Sequence, residues 1–252
     1  MRECLAMIIG GLQKFSLLDY PGNLAAIIFT QGCNFHCQFC YNPMLVWPSF
    51  RASKLKQKDH YSHIEEDDLF AFLKKRIGKL DAVVITGGEP TIHKDLPDFI
   101  KKIKKLGYKV KLDTNGTNPD MIKKLIEKDL IDYIAMDIKA PASKYKKITG
   151  KATGFEKIKK SVNIIIKSSL SPSNWAGKYE FRTTIVPGLI NKDDIIAIGR
   201  IIKGADQWYL QQIKQDTELI NRKLEKVKQY SKKEIEEMCK IAKNYVKKCK
   251  IR

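Results

Sequence analysis

The feature that most constrains the fold of this sequence is a regular alternation of strand-like and helix-like segments along the chain. Strand-like segments occupy residues 24–30, 82–85, 109–113, 133–138, 179–186 and 208–213, and the first two are apolar runs typical of buried strands. Between them, apolar residues recur every three or four positions, as on one face of a helix. Short connections between such units require parallel strands joined by right-handed crossovers. The sequence therefore predicts an α/β protein.

Polar residues that favour helix N-termini mark several of the helix boundaries. Ser62 and Glu65 have the spacing of a capping box, and Ser231 and Glu234 repeat it. Asn191 is predicted to be a further N-cap. We expect helices to begin at these positions.

The number of strand–helix units favours an open barrel over a closed one. A closed barrel of eight units usually needs about 250 residues, and two of those units are missing from this chain of 252 residues. An open, partial (β/α)6 barrel fits better, and a doubly wound sheet is the alternative. We expect a single domain over residues 1–252, with a core of about 22–214 and a C-terminal helix and tail at 215–252.

Polar and glycine residues gather where the predicted strands end. In parallel βα architectures the chemistry is found at the C-terminal ends of the strands. These ends carry a cysteine cluster at 33–40, then the polar stretches 86–90, 113–116, 136–139 and 182–184. The functional site is therefore expected at this edge of the sheet.

The cysteine cluster has the spacing C-x3-C-x2-C, formed by Cys33, Cys37 and Cys40. Three thiolates on one short loop are suitable ligands for three irons of a [4Fe–4S] cluster. The fourth iron then lacks a protein ligand, and its open coordination position is a site for substrate, as in catalytic zinc sites that lack one protein ligand.

Two other interpretations of the cysteine cluster remain open at this point. Positions 33, 37 and 40 also have the i, i+4, i+7 spacing of one helix face, so that a helix could simply bury three small thiols. Alternatively, His36 could complete a zinc site with the three cysteines. The preceding strand, Gly32 and Asn34 favour a loop over a helix.

The cysteine loop, with Phe39 before its last cysteine, resembles that of the radical S-adenosylmethionine (SAM) superfamily. Gly87-Gly88-Glu89-Pro90 after the second strand is similar to the GGE motif of that superfamily. The resemblance implies that the open iron binds the methionine amino and carboxylate groups of SAM, which is then reductively cleaved. It also implies that the glycines let the backbone approach the methionine moiety and that Glu89 accepts a hydrogen bond from its amino group.

Further motifs resemble, in the same order and over about residues 8–252, the activases of glycyl-radical enzymes, including those of anaerobic ribonucleotide reductase. These are the stretches 14–22, 113–116, 136–139 and 182–188. The resemblance implies that Asp113, Thr114 and Asp137 hold a monovalent cation beside the methionine carboxylate, with Lys139 and Arg182 in the same pocket. It also implies two partners, a glycyl-radical enzyme and a flavodoxin- or ferredoxin-type electron donor.

The chain departs from the related activases in two respects. Its sixth strand ends in Gln211 and Gln212, where the related pyruvate formate-lyase activase has a histidine. Cys4, Cys239 and Cys249 are scattered, so that the sequence predicts no auxiliary clusters.

The net charge of +19 and the pI of about 9.6 suggest nucleic acid as an alternative partner. Most of the cations are lysines at helical spacing among apolar residues, which is typical of solvated helix faces. The sequence contains no apolar run near the ~18–20 residues of a membrane span, and residues 1–9 do not resemble a secretory signal. We therefore expect a cytoplasmic protein without membrane contact, and an enzyme that modifies RNA or a nucleotide is the alternative function.

Overall fold

An eight-stranded sheet organises the computed structural model, which describes residues 7–46, 63–151, 154–170 and 178–252. In chain order, which is also the order in the sheet, the strands are β1 Ile9–Ser16, β2 Ala25–Thr30, β3 Ala82–Gly87, β4 Lys109–Thr114, β5 Tyr133–Asp137, β6 Tyr179–Ile185, β7 Gln207–Gln212 and β8 Lys248–Ile251. β1 is antiparallel to β2, whereas β2–β3, β3–β4, β5–β6, β6–β7 and β7–β8 are parallel pairs. The predicted α/β class with parallel strands is confirmed.

Helices follow the strands in the order that the sequence predicts for a partial (β/α)6 barrel. They are α1 Pro43–Val46, α2 Glu66–Lys74, α3 Leu96–Lys105, α4 Pro119–Glu127, α5 Tyr145–Thr149, α6 Phe155–Leu170, α7 Lys192–Ile201 and α8 Lys232–Ala242. Short 3-10 turns lie at Pro90–Ile92, Ala142–Lys144 and Arg222–Lys226. Strands β2–β7 coincide with the six predicted runs to within two residues at each end.

The first of two compact units consists of the described residues within Met1–Asn34, Met44–Thr114 and Lys124–Tyr133. Alternate residues of β2 and β3 point to the same face of the sheet, and they form a buried apolar cluster with two tyrosines. Its members are Tyr20, Ala25, Ile27, Ala82, Val84 and Tyr133, with Phe29 packed against them. This unit holds β1–β4 and the turn that follows β3.

The second unit consists of the described residues within Phe35–Pro43, Asn115–Lys123 and Ile134–Arg252. Two of its helices begin at the predicted N-caps. Asn191 and Asp194 form a reciprocal capping box at α7, and Ser231 and Glu234 form another at α8. These caps satisfy backbone N–H groups that have no partner inside the helix.

The helix predicted to begin near Ser62 starts later than expected. Ser62 itself lies outside the described residues, and Glu65 is the N-cap of α2 without a side-chain capping bond. Ile64 instead forms an antiparallel bridge with Ile9. Because that bridge needs an extended backbone, the helix cannot include Ile64.

The sequence also failed to predict the first and last strands. β1 contains two adjacent glycines, which are unfavourable in strands, and β8 is only four residues long. Both form by pairing with a neighbouring strand, which local sequence does not reveal. No helix among the described residues is long and apolar enough to cross a membrane.

Candidate active site

The cysteine loop follows β2 and is irregular, as the sequence predicts. Residues 33–40 contain no helix, so that the alternative of three thiols buried on a helix face is excluded. Cys37 is buried, whereas Cys33 and Cys40 are partly exposed, and none of the three forms a disulfide bond. Cys33 belongs to the first unit, and Cys37 and Cys40 belong to the second.

Cys37 and Cys40 lie at a tight turn, in which the backbone N–H of Cys40 donates to the carbonyl of Cys37 at 3.0 Å. Burial raises the pKa of the Cys37 thiol to about 12, and nearby Lys139 offsets part of this effect. Burial also raises the pKa of Cys40, although a hydrogen bond from the backbone N–H of Asn42 lowers it in part. Thiolates at these positions need a positive metal charge, so that deprotonation and metal binding are coupled.

Gln38 fixes the loop between these two cysteines with all four of its polar groups. Its backbone N–H donates to Ile148 at 3.1 Å, and its side-chain amide donates to the Lys147 carbonyl at 2.9 Å. On the other side, Asn221 donates to Gln38 twice, backbone to backbone at 2.9 Å and side chain to side chain at 2.8 Å. Ile220 adds a bond from its N–H to the Cys40 carbonyl at 3.2 Å. The loop is therefore held between α5 and the segment after β7.

The GGE turn packs against the residue before Cys33. Gly88 donates its N–H to Thr30 at 2.8 Å, and Glu89 donates its N–H to Gly32 at 2.8 Å. A Cβ on Gly88 would lie 1.9 Å from the Gly32 oxygen, and Gly87 has a φ of 113°. Only glycine allows this approach and this backbone conformation. The two glycines of the motif are therefore needed for packing within the protein.

Glu89 is 1% exposed and joins the GGE turn to the end of β4. Its Oε1 accepts hydrogen bonds from the Thr91 N–H at 3.1 Å, from the Thr114 hydroxyl at 2.7 Å and from the Thr91 hydroxyl. The structure therefore brings the predicted residues Glu89 and Thr114 together. A contact of Glu89 with the methionine ammonium stays a prediction.

Asp113, predicted to hold a cation, has a cationic side chain beside it. The ammonium of Lys111 lies 2.7 Å from the Asp113 carboxylate, and the two residues share one face of β4. Sequence reasoning missed Lys111, although a lysine between apolar residues inside a buried strand is an available signal.

In the second unit, Asp137, Lys139 and Arg182 form one ionic cluster where β5 and β6 lie side by side. The carboxylate of Asp137 contacts Arg182 Nε at 2.8 Å and Lys139 Nζ at 2.9 Å. Burial alone would raise the pKa of Asp137, but the two cations hold it well below its usual value. The Lys139 ammonium also lies 5.9 Å from the centroid of the Phe39 ring, so that the cluster adjoins the cysteine loop.

The ionic cluster extends to two residues that sequence reasoning did not identify. Glu180 is fully buried, and Arg252 binds it through two bonds, at 2.9 and 3.3 Å. Glu180 also lies 4.0 Å from Arg182. Glu180 and Arg252 are 72 positions apart in the chain, so that no local motif reveals the pair. At the end of β7, Gln212 donates its amide to the Tyr230 carbonyl at 3.3 Å.

Cys239 and Cys249, which are far from the cysteine loop in the sequence, lie together in the structure. Cys239 lies on α8 and Cys249 on β8, both are buried, and their thiols are in hydrogen-bonding contact. Burial and this contact raise the pKa of Cys249. The two residues are ten positions apart, and the return of the chain from α8 to β8 brings them together. Cys4 lies outside the described residues.

Comparison with known protein families identifies the family of this chain. Residues 27–198 match the Radical SAM superfamily, a span that contains every predicted site residue. The chain belongs to the radical SAM superfamily. Membership implies SAM and a [4Fe–4S] cluster as cofactors, and it favours cluster ligation over a zinc site with His36.

Relatives among curated proteins extend the match to nearly the whole radical SAM chain. A protein of Methanocaldococcus jannaschii named "Putative glycyl-radical enzyme activating enzyme" is 33% identical over 95% of this chain and 93% of its own. A second protein of that organism with the same name is 26% identical over 83% of this chain and 74% of its own. A "Probable GTP 3',8-cyclase" of Saccharolobus solfataricus is 29% identical over 58% of this chain and 44% of its own.

Solved structures support the radical SAM fold. SuiB of Streptococcus suis, bound to SAM, aligns with a TM-score of 0.56 at 14% identity, over 87% of this chain and 48% of its own. TYW1 with a lysine-pyruvate adduct aligns with a TM-score of 0.57 at 19% identity, over 88% of this chain and 74% of its own. The chain spans about half the length of SuiB, and at these identities the likeness concerns the fold.

The donor set fits the implied cluster. Cys33, Cys37 and Cys40 carry thiols that are not in disulfide bonds, and sulfur is the ligand that Fe–S clusters prefer. The fit is one of donor chemistry: within residues 7–46, 63–151, 154–170 and 178–252, no three His, Cys, Asp or Glu side chains, these cysteines included, lie close enough together to hold a metal ion. The three cysteines would hold the cluster, which would supply one electron at a time.

Replacing Asn221 by alanine is expected to weaken cluster retention. The change removes the side-chain bond to Gln38 at 2.8 Å and the cap that Asn221 provides to the Lys223 N–H. Two such bonds are worth about 1–2 kcal/mol together. Iron should therefore be lost to a chelator about 5- to 30-fold faster, measured by the decay of cluster absorbance.

Gln215→Ala is the matched control, because Gln215 stabilises the same segment through Leu224 and Val227 without touching the cysteine loop. Equal rates of iron loss in Asn221→Ala and the wild type would show that the Gln38–Asn221 contact does not stabilise the loop.

Proposed function

We propose that this radical SAM protein activates a glycyl-radical enzyme, with anaerobic ribonucleotide reductase as the first candidate. One observation carries the proposal: the 33% identity, over 95% of the chain, to a protein named as an activating enzyme of this kind. We further propose that residues 1–252 act as a single radical SAM domain. A flavodoxin- or ferredoxin-type protein is proposed as the electron donor.

The proposed reaction consumes one electron and one SAM molecule for each radical. The electron enters the sulfonium group, and the C5′–S bond breaks to give methionine and a 5′-deoxyadenosyl radical. That radical takes a hydrogen atom from a glycine Cα of the partner. The products are 5′-deoxyadenosine and a glycyl radical on the partner.

The site residues are proposed to bind and orient SAM. In the first unit, Glu89 is proposed to accept from the methionine ammonium, and the buried hydroxyls of Thr91 and Thr114 keep its carboxylate in place. In the second unit, Lys139 and Arg182 are proposed to line the pocket, and Asp137 keeps both cations oriented. The ring of Phe39 lies beside the same lysine, with its centroid 5.9 Å from the ammonium.

A positive charge beside the methionine carboxylate is part of the proposed site, since Asp113 and that carboxylate would otherwise repel each other. The resemblance to related activases implies a bound monovalent cation at Asp113, Thr114 and Asp137.

The test is radical transfer to a partner. Reconstituted, reduced protein is incubated with SAM and recombinant anaerobic ribonucleotide reductase, and the partner is examined by electron paramagnetic resonance. A glycyl-radical signal that requires all components is expected. Turnover of SAM without a radical on this or any other glycyl-radical protein of the same organism would contradict the activase proposal.

An RNA- or nucleotide-modifying enzyme is the second candidate, favoured by the net charge of +19 and by the partial match to a protein named a GTP cyclase. Lysine–phosphate contacts release counterions, so that such binding weakens steeply with salt. Retention on RNA that disappears already at roughly physiological ionic strength would count against this candidate.

A further inference from the structure

Lys111 is a buried cation in the first unit that the proposed chemistry has not yet used. Its side chain is 1% exposed, and it stands in the middle of β4. Lysine is almost never fully buried without a partner, because an unpaired buried ammonium loses its hydration. The position of Lys111 therefore needs a specific reason.

The partner of Lys111 is Asp113. Its Nζ lies 2.7 Å from Asp113 Oδ1, and Asp113 is 12% exposed. The ammonium also lies 5.9 Å from the centroid of the Tyr133 ring, within the range of a cation–π contact. Lys111 pairs in register with Val84, a member of the buried apolar cluster. The ion pair is thus built against an apolar wall, where charges are weakly screened.

Asp113 is the carboxylate for which a monovalent cation was expected, and an ammonium in direct contact supplies the same charge. A second cation at the same carboxylate would lie close to Lys111 and be repelled by it. We propose that the Lys111 ammonium, in place of a bound metal ion, is the cation that lets the methionine carboxylate of SAM bind near Asp113. This inference rests on the proposed function, which puts Asp113 in the SAM site.

Lys111 is accordingly a positioning residue. It acts through Asp113, by neutralising a carboxylate that would otherwise repel the anionic end of the ligand. Removal of its charge should recreate the need for an external cation. This requirement distinguishes the proposed role from a purely structural one.

The first measurement is the affinity of reconstituted wild-type protein for SAM in K⁺, Na⁺ and tetramethylammonium buffers of equal ionic strength. Tetramethylammonium is too large to occupy a small cation site. Equal affinities in the three buffers are expected. A loss of about tenfold or more in tetramethylammonium would overturn the inference, since ~1.4 kcal/mol of binding would then come from a metal ion.

The second measurement compares Lys111→Met with Lys109→Met. Lys109 lies on the same strand, is exposed and bonds to Asn23 at 3.0 Å, so that it matches Lys111 in type but not in position. In tetramethylammonium, Lys111→Met should bind SAM about 10- to 100-fold more weakly than the wild type. K⁺ should restore much of this loss, whereas Lys109→Met should bind as the wild type does in either buffer.

The inference would be contradicted if Lys111→Met bound SAM in tetramethylammonium as tightly as the wild type does. If Lys111→Met fails to fold, as judged by circular dichroism, the affinities of the wild type in the three buffers still test the inference. Wild-type protein that binds no SAM in any buffer would instead refute the proposed function, so that the two failures are distinguishable.

Discussion

Replacement of Cys37 by alanine is expected to abolish assembly of the [4Fe–4S] cluster. Anaerobically reconstituted wild-type protein should contain about four irons and four sulfides per chain, and the variant should retain less than about one of each. Cys37 is buried, and its loss leaves only two cysteines, Cys33 and Cys40, in the loop to bind iron. Iron and sulfide analysis, together with absorbance at roughly 400 nm, measures the effect.

Cys239→Ala is the control for this experiment. Cys239 is as buried as Cys37, both being 7% exposed, but it contacts Cys249 on β8 and lies outside the C-x3-C-x2-C loop. The control should keep the full iron and sulfide content. A Cys37→Ala variant that retains a complete cluster would show that the ligands have been misassigned.

Replacement of Gly88 by alanine is expected to destabilise the first unit by about 3 kcal/mol or more. The new Cβ would lie 1.9 Å from the oxygen and 2.6 Å from the carbonyl carbon of Gly32. Both atoms belong to the backbone next to Cys33, so that the clash cannot be relieved by a side-chain rotation. The change should also break the hydrogen bond from Glu89 to Gly32. Urea unfolding of the apoprotein, followed by circular dichroism, measures the free energy.

Gly154→Ala is the matched control, because a Cβ at Gly154 meets no atom within 4 Å and its φ is not in the left-handed region. It should change the unfolding free energy by less than about 1 kcal/mol. Equal stabilities of the two variants would show that the GGE turn does not pack against Gly32 as described.

Strands β2, β3 and β5 could be predicted from the sequence because each contains an uninterrupted apolar run followed by a polar stretch. In β5, for example, Ile134, Ala135 and Met136 are fully buried. β8 could not be predicted, since three of its four residues are exposed and it forms by pairing with β7. Its existence depends on tertiary contact, which a window of local sequence does not contain.

The candidate site was predictable where its residues belong to compact motifs. Cys37, Cys40 and Glu89 each stand in such a motif, and family resemblance supplied their roles. Asn221 could not be found in this way, because its partner Gln38 is 183 positions away in the chain. Lys111 was missed because a lysine in a strand suggests an exposed edge, whereas the fold buries it beside Asp113.

The central claim is that this chain cleaves SAM reductively with a cluster held by Cys33, Cys37 and Cys40. The most direct measurement is product analysis of the reconstituted, reduced protein with SAM, under strict exclusion of oxygen. The account predicts 5′-deoxyadenosine and methionine in equal amounts, and neither product from Cys37→Ala. Stoichiometric zinc in place of iron, with no absorbance at roughly 400 nm and no 5′-deoxyadenosine, would contradict it.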